Sequence, residues 1–368
     1  MTIKACRQGD SGTKRRTLMV FVLLLFVAST VCVAAVHQFY SHVPYFDSNT
    51  NGLWAGRQWF TGVNVRTGLP VPLHDIEEFS TLIKKSGIRY VFVRTGTLLP
   101  SGAIPQLPSQ LYYELQRLNP DSMYLPWLSG DRRQLPLSSD AWRKEFIGEL
   151  RKLTDRGILG IHLNIEPVSS DDTGYLDLLR DIRLTFGKSF FLSHATRPAG
   201  PYGVSLWGMK RHLWSRDFYK STMRYANQSV VMAYNTRLRF ELPYRAFVAH
   251  QTGLLLDWSC SVTEHRVLIG IPSYEHAPSY SDPRTENIRT ASLGVRSALN
   301  HNKKKAQCFD GVSIYSNWTT DPSDWSDYRN YWVGKDKTTL NDFGFQPVSV
   351  WDPITGQGPV VRSTGIWD

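Results

Sequence analysis

Apolar residues recur along this chain with two alternating periods, one of about 3.6 residues and one of two. The stretch from Asp75 to Gly87 carries an apolar residue at every third or fourth position, which predicts an amphipathic helix. The next run, Ile88 to Val93, is β-branched and aromatic and predicts a buried strand. This part of the chain is therefore predicted to be a helix followed by a strand.

Helical and strand patterns then alternate about eight times, as is typical of a TIM barrel. The predicted strands lie within 52–63 and at 88–93, 123–128, 157–167, 190–196, 229–234, 267–274 and 311–315, and the predicted helices lie at 75–87, 110–118, 139–157, 175–186, 217–226, 244–257, 286–299 and from about 325. The expected fold is of the α/β class, a (β/α)8 barrel. A doubly wound open sheet is the alternative, although no glycine-rich phosphate fingerprint follows an early strand.

The fourth predicted strand has one aliphatic and one polar face. Its alternating sets are Ile161, Leu163 and Ile165 against Gly160, His162, Asn164 and Glu166. A strand covered on both sides is normally apolar throughout, so a polar face that ends in Glu166 indicates a cavity at the carboxyl end of the strand. In a TIM barrel that end carries the chemistry.

The amino-terminal region predicts a membrane anchor. Residues 17–36 carry no charge and are long enough to cross a bilayer as a helix, and residues 1–16 hold five basic side chains and one acidic one. We therefore expect a cytoplasmic segment 1–16, a signal anchor 17–36, a linker 37–51, a barrel domain 52–334 outside the cytoplasm and a C-terminal extension 335–368. A cleaved signal peptide is the alternative for 17–36.

The charge and the cysteines limit which classes of partner and which cellular compartment are expected. The net charge is +10, of which +6 remains after the first sixteen residues, without lysine blocks, so we expect no nucleic-acid partner. Cys260 and Cys308 each precede a predicted strand, which makes a disulfide at the bottom of the barrel one possibility and two free buried cysteines the other. No metal-ligand spacing occurs, so we expect neither metal nor cofactor.

Aromatic and hydrogen-bonding residues recur at the predicted strand ends. Sugars bind in such surroundings, with ring faces on aromatic side chains and hydroxyls on amides and carboxylates. The candidate substrate-binding residues are Trp127, His162, His194, Asn235, Tyr274, Glu275, Tyr315 and Trp318. The candidate catalytic residues are Glu166, Asn164 and Tyr234.

These strand ends resemble the chitinase-like glycoside hydrolases of family 18 and the related endo-β-N-acetylglucosaminidases. The family's strand-four motif, Asp-Gly-x-Asp-x-Asp-x-Glu, aligns with Leu159, Gly160, His162, Asn164 and Glu166. Its strand-six Met-x-Tyr-Asp aligns with Met232, Tyr234 and Asn235, its strand-seven Gly-x-Pro-x-Tyr with Gly270, Pro272 and Tyr274, and its strand-eight Gly-x-x-x-Trp with Gly311 and Tyr315. The terminal acid is kept, and the carboxylates before it are replaced.

The resemblance implies a glycosidase with substrate-assisted catalysis, in which the substrate's own N-acetyl group attacks the anomeric carbon. Glu166 would protonate the leaving oxygen, and Asn164 and Tyr234 would hold the acetamide, as in the Asn-x-Glu pair of the endo-β-N-acetylglucosaminidases. The expected partner is an N-acetylhexosamine polysaccharide. A sequon at Asn317, beside the mouth, would place a glycan in its way if the host glycosylates exported proteins, which favours a bacterial cell-envelope protein.

Two other hypotheses remain open at this point. The barrel could bind a glycan without turnover, because positions 159 and 162 lack the family's acids. Alternatively, Glu166 and Glu275 could be the acid/base and the nucleophile of a conventional retaining glycosidase, whose carboxyl groups stand about 5 to 5.5 Å apart.

Overall fold

The structure is a computed structural model that describes residues 20, 44–204, 210, 212–273 and 281–334. The predicted anchor 17–36, apart from Val20, and the extension 335–368 lie outside the described residues. None of the helices within the described part has the length and apolar character needed to span a bilayer.

Eight strands form one closed parallel barrel in chain order, with β1 paired to both β2 and β8. The strands are β1 Asn51–Ala55, β2 Ile88–Thr97, β3 Met123–Asp131, β4 Gly160–Glu166, β5 Phe191–Thr196, β6 Gln228–Met232, β7 Arg266–Pro272 and β8 Phe309–Tyr315. The predicted (β/α)8 barrel is confirmed, and the open sheet is excluded because the ring closes.

Helices connect consecutive strands on the outside of the ring. They are α1 Gln58–Thr61, α2 Leu73–Lys85, α3 Gln110–Leu118, α4 Asp140–Thr154, α5 Thr173–Phe186, α6 Arg216–Met223, α7 Glu241–Ser259, α8 Ile288–His301 and α9 Pro322–Tyr328. Side chains cap several of these helices: Ser139 accepts a hydrogen bond from the backbone N–H of Trp142, and Asp172 accepts one from Tyr175. The caps fix where α4 and α5 begin relative to the strands before them.

Two apolar layers lie on either side of the barrel wall. The aliphatic face of β4 belongs to the outer layer, between strands and helices. The inner layer consists of Trp54, Tyr90, Phe92, Leu125, Trp127, Val230 and Leu268. Gly160, on the inner face of β4, has no room for a Cβ atom because the carbonyl oxygen of Phe191 occupies that position. The polar face of β4 therefore points into the barrel, as its alternation predicts.

A disulfide links two segments at the amino-terminal end of the barrel. Cys260 follows α7, Cys308 precedes β8, and the two form a disulfide with Cα atoms 5.4 Å apart.

Residues 45–50, assigned to the linker by sequence, pack on the barrel: the Tyr45 hydroxyl donates to the carbonyl of Asn330 at 2.9 Å, and Arg296 lies 4.0 Å above the Tyr45 ring. Residues 45–50 thus belong to the barrel domain and not to a linker.

Candidate active site

Glu166 ends β4 on the inner face, at the carboxyl end of the barrel. Its side chain is 8% exposed, and its Oε1 lies 3.7 Å from Nε of Arg197, which follows β5. Burial raises the pKa of this carboxyl to about 7, although the positive charge of Arg197 opposes the rise. Within the described residues no donor gives Oε1 a hydrogen bond. The group can therefore gain and lose a proton near neutral pH.

The end of β4 is held by its neighbours on both sides. The Glu166 carbonyl accepts a hydrogen bond from the backbone N–H of Arg132, at 2.8 Å. The Arg132 guanidinium in turn donates two hydrogen bonds to Asp172, the residue that caps α5. This bidentate ion pair fixes the loop after β3 against the loop after β4, so the backbone of the candidate acid is anchored.

Two further polar atoms near Glu166 are buried and have no partner in the described part of the chain. They are Oδ1 of Asn164, two residues earlier on β4, and the indole Nε1 of Trp127 on β3. Buried polar atoms in folded proteins nearly always have a hydrogen-bond partner. Their concentration at one end of two adjacent strands indicates a place where a ligand supplies the missing partners.

Aromatic rings at the ends of β3, β6 and β8 line the mouth. Tyr234 and Tyr315 are stacked, with centroids 5.3 Å apart and ring planes 21° apart. Trp127 lies edge-on to Tyr315 at 6.4 Å and parallel to Trp318 at 6.4 Å. Trp127 is only 4% exposed, whereas Tyr315 and Trp318 are partly open. The rings available to a sugar are therefore those of Tyr315 and Trp318, and Trp127 offers its edge.

The loop after β6 is shaped by Glu286, a residue that sequence reasoning assigned only to the start of a helix. Glu286 is fully buried, and its carboxylate accepts hydrogen bonds from the backbone N–H groups of Asn235 (2.6 Å) and Thr236 (2.8 Å) and from the Thr236 hydroxyl (2.7 Å). Asn235 and Arg237 have left-handed φ values of 58° and 63°. Burial raises the pKa of Glu286, and the hydrogen bonds oppose this rise. The carboxylate thus sets the turn that follows Tyr234.

His162 is not at the mouth, which corrects its assignment as a substrate-binding residue. Its ring is fully buried, stacked 3.9 Å from Phe92, and both nitrogens have partners. The Trp54 indole N–H donates to Nε2 at 3.3 Å, so Nδ1 carries the ring hydrogen and donates to Ser193 Oγ at 2.9 Å. Burial lowers the pKa of His162 well below its usual range. The side chain is enclosed in the barrel interior, where protein groups satisfy both ring nitrogens.

His194 also lies away from the mouth and corrects a second assignment. It is fully buried on the outer face of β5, between the Tyr175 hydroxyl (3.1 Å from Nδ1) and Ser229 Oγ (2.9 Å from Nε2). Burial lowers its pKa to about 3. Both faces of β5 are buried, so alternation alone did not show which face is the inner one.

The remaining assignments divide into those the structure describes and those it does not. Asn235 is partly exposed in the loop held by Glu286. Tyr274 and Glu275 lie outside the described residues, so the pairing of Glu166 with Glu275 stays a prediction. Asn317 binds the end of β1, where its side-chain oxygen accepts from Gly56 at 2.9 Å. Among the described residues, no three His, Cys, Asp or Glu side chains are grouped as metal ligands.

Comparison with known proteins finds similar structures but no similar sequence. No protein-family model and no curated protein matches the sequence. The structure is similar to a fungal endo-β-N-acetylglucosaminidase of glycosyl hydrolase family 18, with a TM-score of 0.53, 12% identity, and coverage of 78% of this chain and 100% of the other. A family 18 chitinase from Chromobacterium violaceum gives 0.53, 15%, 79% and 86%. The spore cortex-lytic enzyme SleL of Bacillus megaterium QM B1551 gives 0.51, 12%, 77% and 74%.

At these identities the likeness establishes the fold. The barrel has the same fold as the family 18 enzymes named above, and the resemblance expected from the strand-end motifs is confirmed at this level. The activity of this chain has to be argued from its own residues.

Proposed function

We propose that this protein is a glycoside hydrolase that acts on a polysaccharide containing N-acetylhexosamine. The observation that carries the proposal is the buried carboxyl of Glu166 at the carboxyl end of the barrel, with a pKa of about 7. A general acid is most effective when its pKa is close to the working pH, because it is then both protonated and able to release its proton. An ordinary surface glutamate is ionised at neutral pH and lacks the proton to give.

In this proposal Glu166 donates its proton to the glycosidic oxygen as the bond to the anomeric carbon breaks. The substrate's acetamide oxygen forms the new bond to that carbon, so no protein nucleophile is needed. The Asn164 side chain, with its unpartnered oxygen, accepts the acetamide N–H, and the Tyr234 hydroxyl donates to the acetamide oxygen. Water later opens the ring formed on the sugar and returns the proton to Glu166.

A glycan-binding protein without turnover is the second candidate. It is supported by the residues that stand where the family has acids: Leu159 is 72% exposed before β4, and His162 is tied into the barrel interior. Neither can carry a charge that helps Glu166. The retaining mechanism through Glu275 remains a sequence-based prediction.

The proposed location is outside the cytoplasm, with the barrel anchored to the membrane by residues 17–36. The uncharged run and its basic flank support the anchor. The Cys260–Cys308 disulfide supports an oxidising compartment, since disulfides seldom persist in the cytosol. Topology can be tested by labelling an introduced cysteine at residue 8 and one at residue 67 with a membrane-impermeant reagent in intact cells.

The activity is tested with the full-length chain against chitin, peptidoglycan and N-acetylglucosamine oligomers and exopolysaccharides. We expect release of reducing ends from at least one of them, and a fall of about 10²- to 10⁴-fold for Glu166→Gln. Glu114→Gln, which alters a partly exposed glutamate that pairs with Arg117 on α3, is the control and should be unchanged. Binding of an oligomer without turnover, equal in wild type and Glu166→Gln, would reject the hydrolase and leave the glycan-binding protein.

A further inference from the structure

Arg94 faces the proposed active site from β2. Phe92 and Tyr90, two and four residues earlier on the same strand face, belong to the inner layer of the barrel. Arg94 is paired with Trp127 in the register of β2 and β3, and its guanidinium carbon lies 5.6 Å from the centroid of the Trp127 ring. The guanidinium is therefore inside the mouth, beside the unpartnered indole.

Arg94 differs from other arginines around this end of the barrel because it has no acidic partner in the described part of the chain. Arg132 is paired with Asp172, and Arg133 with Asp131 at 2.9 Å. No carboxylate within the described residues lies within 4.0 Å of Arg94, and none of them accepts a hydrogen bond from its side chain. A half-buried guanidinium loses part of its hydration, and a carboxylate compensates for this loss best because it adds an opposite charge to its two acceptor oxygens.

The indole of Trp127 adds a second donor of the same kind next to Arg94. Its Nε1 is buried and donates to no described residue. Guanidinium and indole are donors only and accept no hydrogen bond. On the adjacent strand, the unpartnered atoms of Asn164 and Glu166 are oxygens. The mouth therefore has donors without acceptors on β2 and β3, and oxygens without partners on β4.

From this arrangement we infer that the substrate carries a carboxylate beside its N-acetylhexosamine, and that Arg94 binds this carboxylate. The planar guanidinium matches a carboxylate through two parallel N–H···O bonds, and the indole N–H is placed to supply a further one. The inference rests on the proposed function, since it identifies the substrate class of the same site. The carboxylate could belong to a lactyl ether on the sugar or to a neighbouring uronate ring.

The test compares sugars that differ in their carboxylate. Calorimetric titration of the full-length chain uses the N-acetylglucosamine disaccharide, the N-acetylglucosamine–N-acetylmuramic acid disaccharide, which adds a lactyl ether carboxylate, and a hyaluronan tetrasaccharide, which supplies uronates. We expect at least one carboxylated sugar to bind about 10- to 100-fold more tightly than the neutral one. The tighter of the two identifies the source of the carboxylate.

Variants assign the preference to Arg94. Arg94→Gln should abolish the preference while leaving the affinity for the neutral sugar within about twofold, and Arg94→Lys, which keeps the charge without the planar pair of donors, should retain part of it. Arg89→Gln is the matched control, because Arg89 is an exposed arginine near the start of the same strand. Melting temperatures of all three variants verify that they are folded.

The outcomes separate this inference from the proposed function. Equal affinity for neutral and carboxylated sugars, no binding of any carboxylated sugar, or a preference that survives Arg94→Gln would overturn the inference. A preference that depends on Arg94, without hydrolysis of any of the sugars, would uphold the carboxylate site and reject the hydrolase. Hydrolysis of the neutral sugar without any preference would do the reverse.

Discussion

Two groups of buried polar side chains lie inside this barrel, and they differ in whether their hydrogen bonds are complete. In the deeper group a chain of bonds runs from Trp54 through His162 and Ser193 to Gln228, which donates to Asp310 at 2.9 Å. Each group in that chain has a partner. Two and four residues beyond His162 on the same strand face, Asn164 and Glu166 each keep an oxygen without one.

The difference distinguishes a part of the barrel that serves stability from a part that serves binding. A buried polar atom without a partner costs about 1 to 3 kcal/mol, so a chain selected for stability alone would not keep several of them together. The deeper chain crosses the barrel and ties five strands to one another, namely β1, β4, β5, β6 and β8. The mouth keeps its unsatisfied atoms where a ligand can complete them. The same kind of substitution should therefore lower stability in the deeper group and weaken sugar binding at the mouth.

The largest expected effect comes from comparing a substitution of His162, in the deeper group, with one of Asn164, at the mouth. Both side chains lie on the inner face of β4. His162→Ala removes a stacked ring and leaves the Trp54 indole and the Ser193 hydroxyl without one partner each, so we expect the free energy of unfolding to fall by about 3 to 5 kcal/mol. Asn164→Ala should change it by less than about 1 kcal/mol and instead weaken sugar binding. Denaturant unfolding and sugar titration of both variants measure this contrast. Equal losses of stability would remove the distinction.

Glu166→Gln should sharpen the comparison through pH, with an effect of up to about 3 kcal/mol. Burial raises the pKa of this carboxyl from 4.5 to about 7, so between these values the folded chain holds a proton that the unfolded chain has released. The stabilisation from the neutral carboxyl is complete below pH 4.5 and is lost as the pH rises to about 7. The glutamine variant does not titrate, so we expect it to match the wild type in acid and to be the more stable of the two above pH 7.

The measurement for Glu166→Gln is the difference in unfolding free energy between variant and wild type across that pH window, because other titrating groups cancel in the difference. A difference that stays constant from pH 4 to 8 would mean that Glu166 titrates as an ordinary glutamate. The same pKa predicts that kcat/KM declines above about pH 7, as the acid loses its proton.

A smaller effect is expected at Glu286. Its hydrogen bonds are complete, as in the deeper group, but it lies beside the mouth. Glu286→Gln replaces one acceptor oxygen by an amide that faces backbone N–H donors, so the loop after β6 should open more easily by about 1 to 2 kcal/mol. Hydrogen exchange at the amides of Asn235 and Thr236 should become about 5- to 30-fold faster. Glu241→Gln, an exposed glutamate at the start of α7, is the control. Unchanged exchange at both amides would show that the carboxylate does not hold this turn.

The sequence predicted the barrel well because the information it needed is local. Alternation along β4 separated the outer aliphatic set from the inner polar set, and the helix caps and glycines separated the elements. The position of Glu166 at the end of that strand followed from the same pattern. These features depend on residues that are neighbours in sequence.

The sequence could not show how deep a side chain lies or which distant groups meet it. Alternation put His162 on the inner face without indicating that it lies below the mouth, and it did not decide the inner face of β5 for His194. Glu286 meets a turn about fifty residues earlier, and Arg94 meets Trp127 across two strands. Such contacts arise only when the ring closes, because the closure brings separate strands to one mouth.

Trp127→Phe gives the smallest expected effect and tests the mouth most directly, because it removes one N–H and keeps an aromatic ring. Since the indole Nε1 donates to no described residue, its loss adds no broken hydrogen bond to the cost of the smaller ring, and the free energy of unfolding should fall by about 1 to 3 kcal/mol less than in Trp54→Phe. Affinity for the carboxylated sugar should fall by about tenfold, the lower end of the range for one hydrogen bond to a charged group. Trp54→Phe is the matched variant in the completed chain, where the same loss leaves His162 Nε2 without a donor and should lower stability. If Trp127→Phe destabilises the fold as much as Trp54→Phe does, the indole N–H at the mouth has a structural partner and the division between the two groups is wrong.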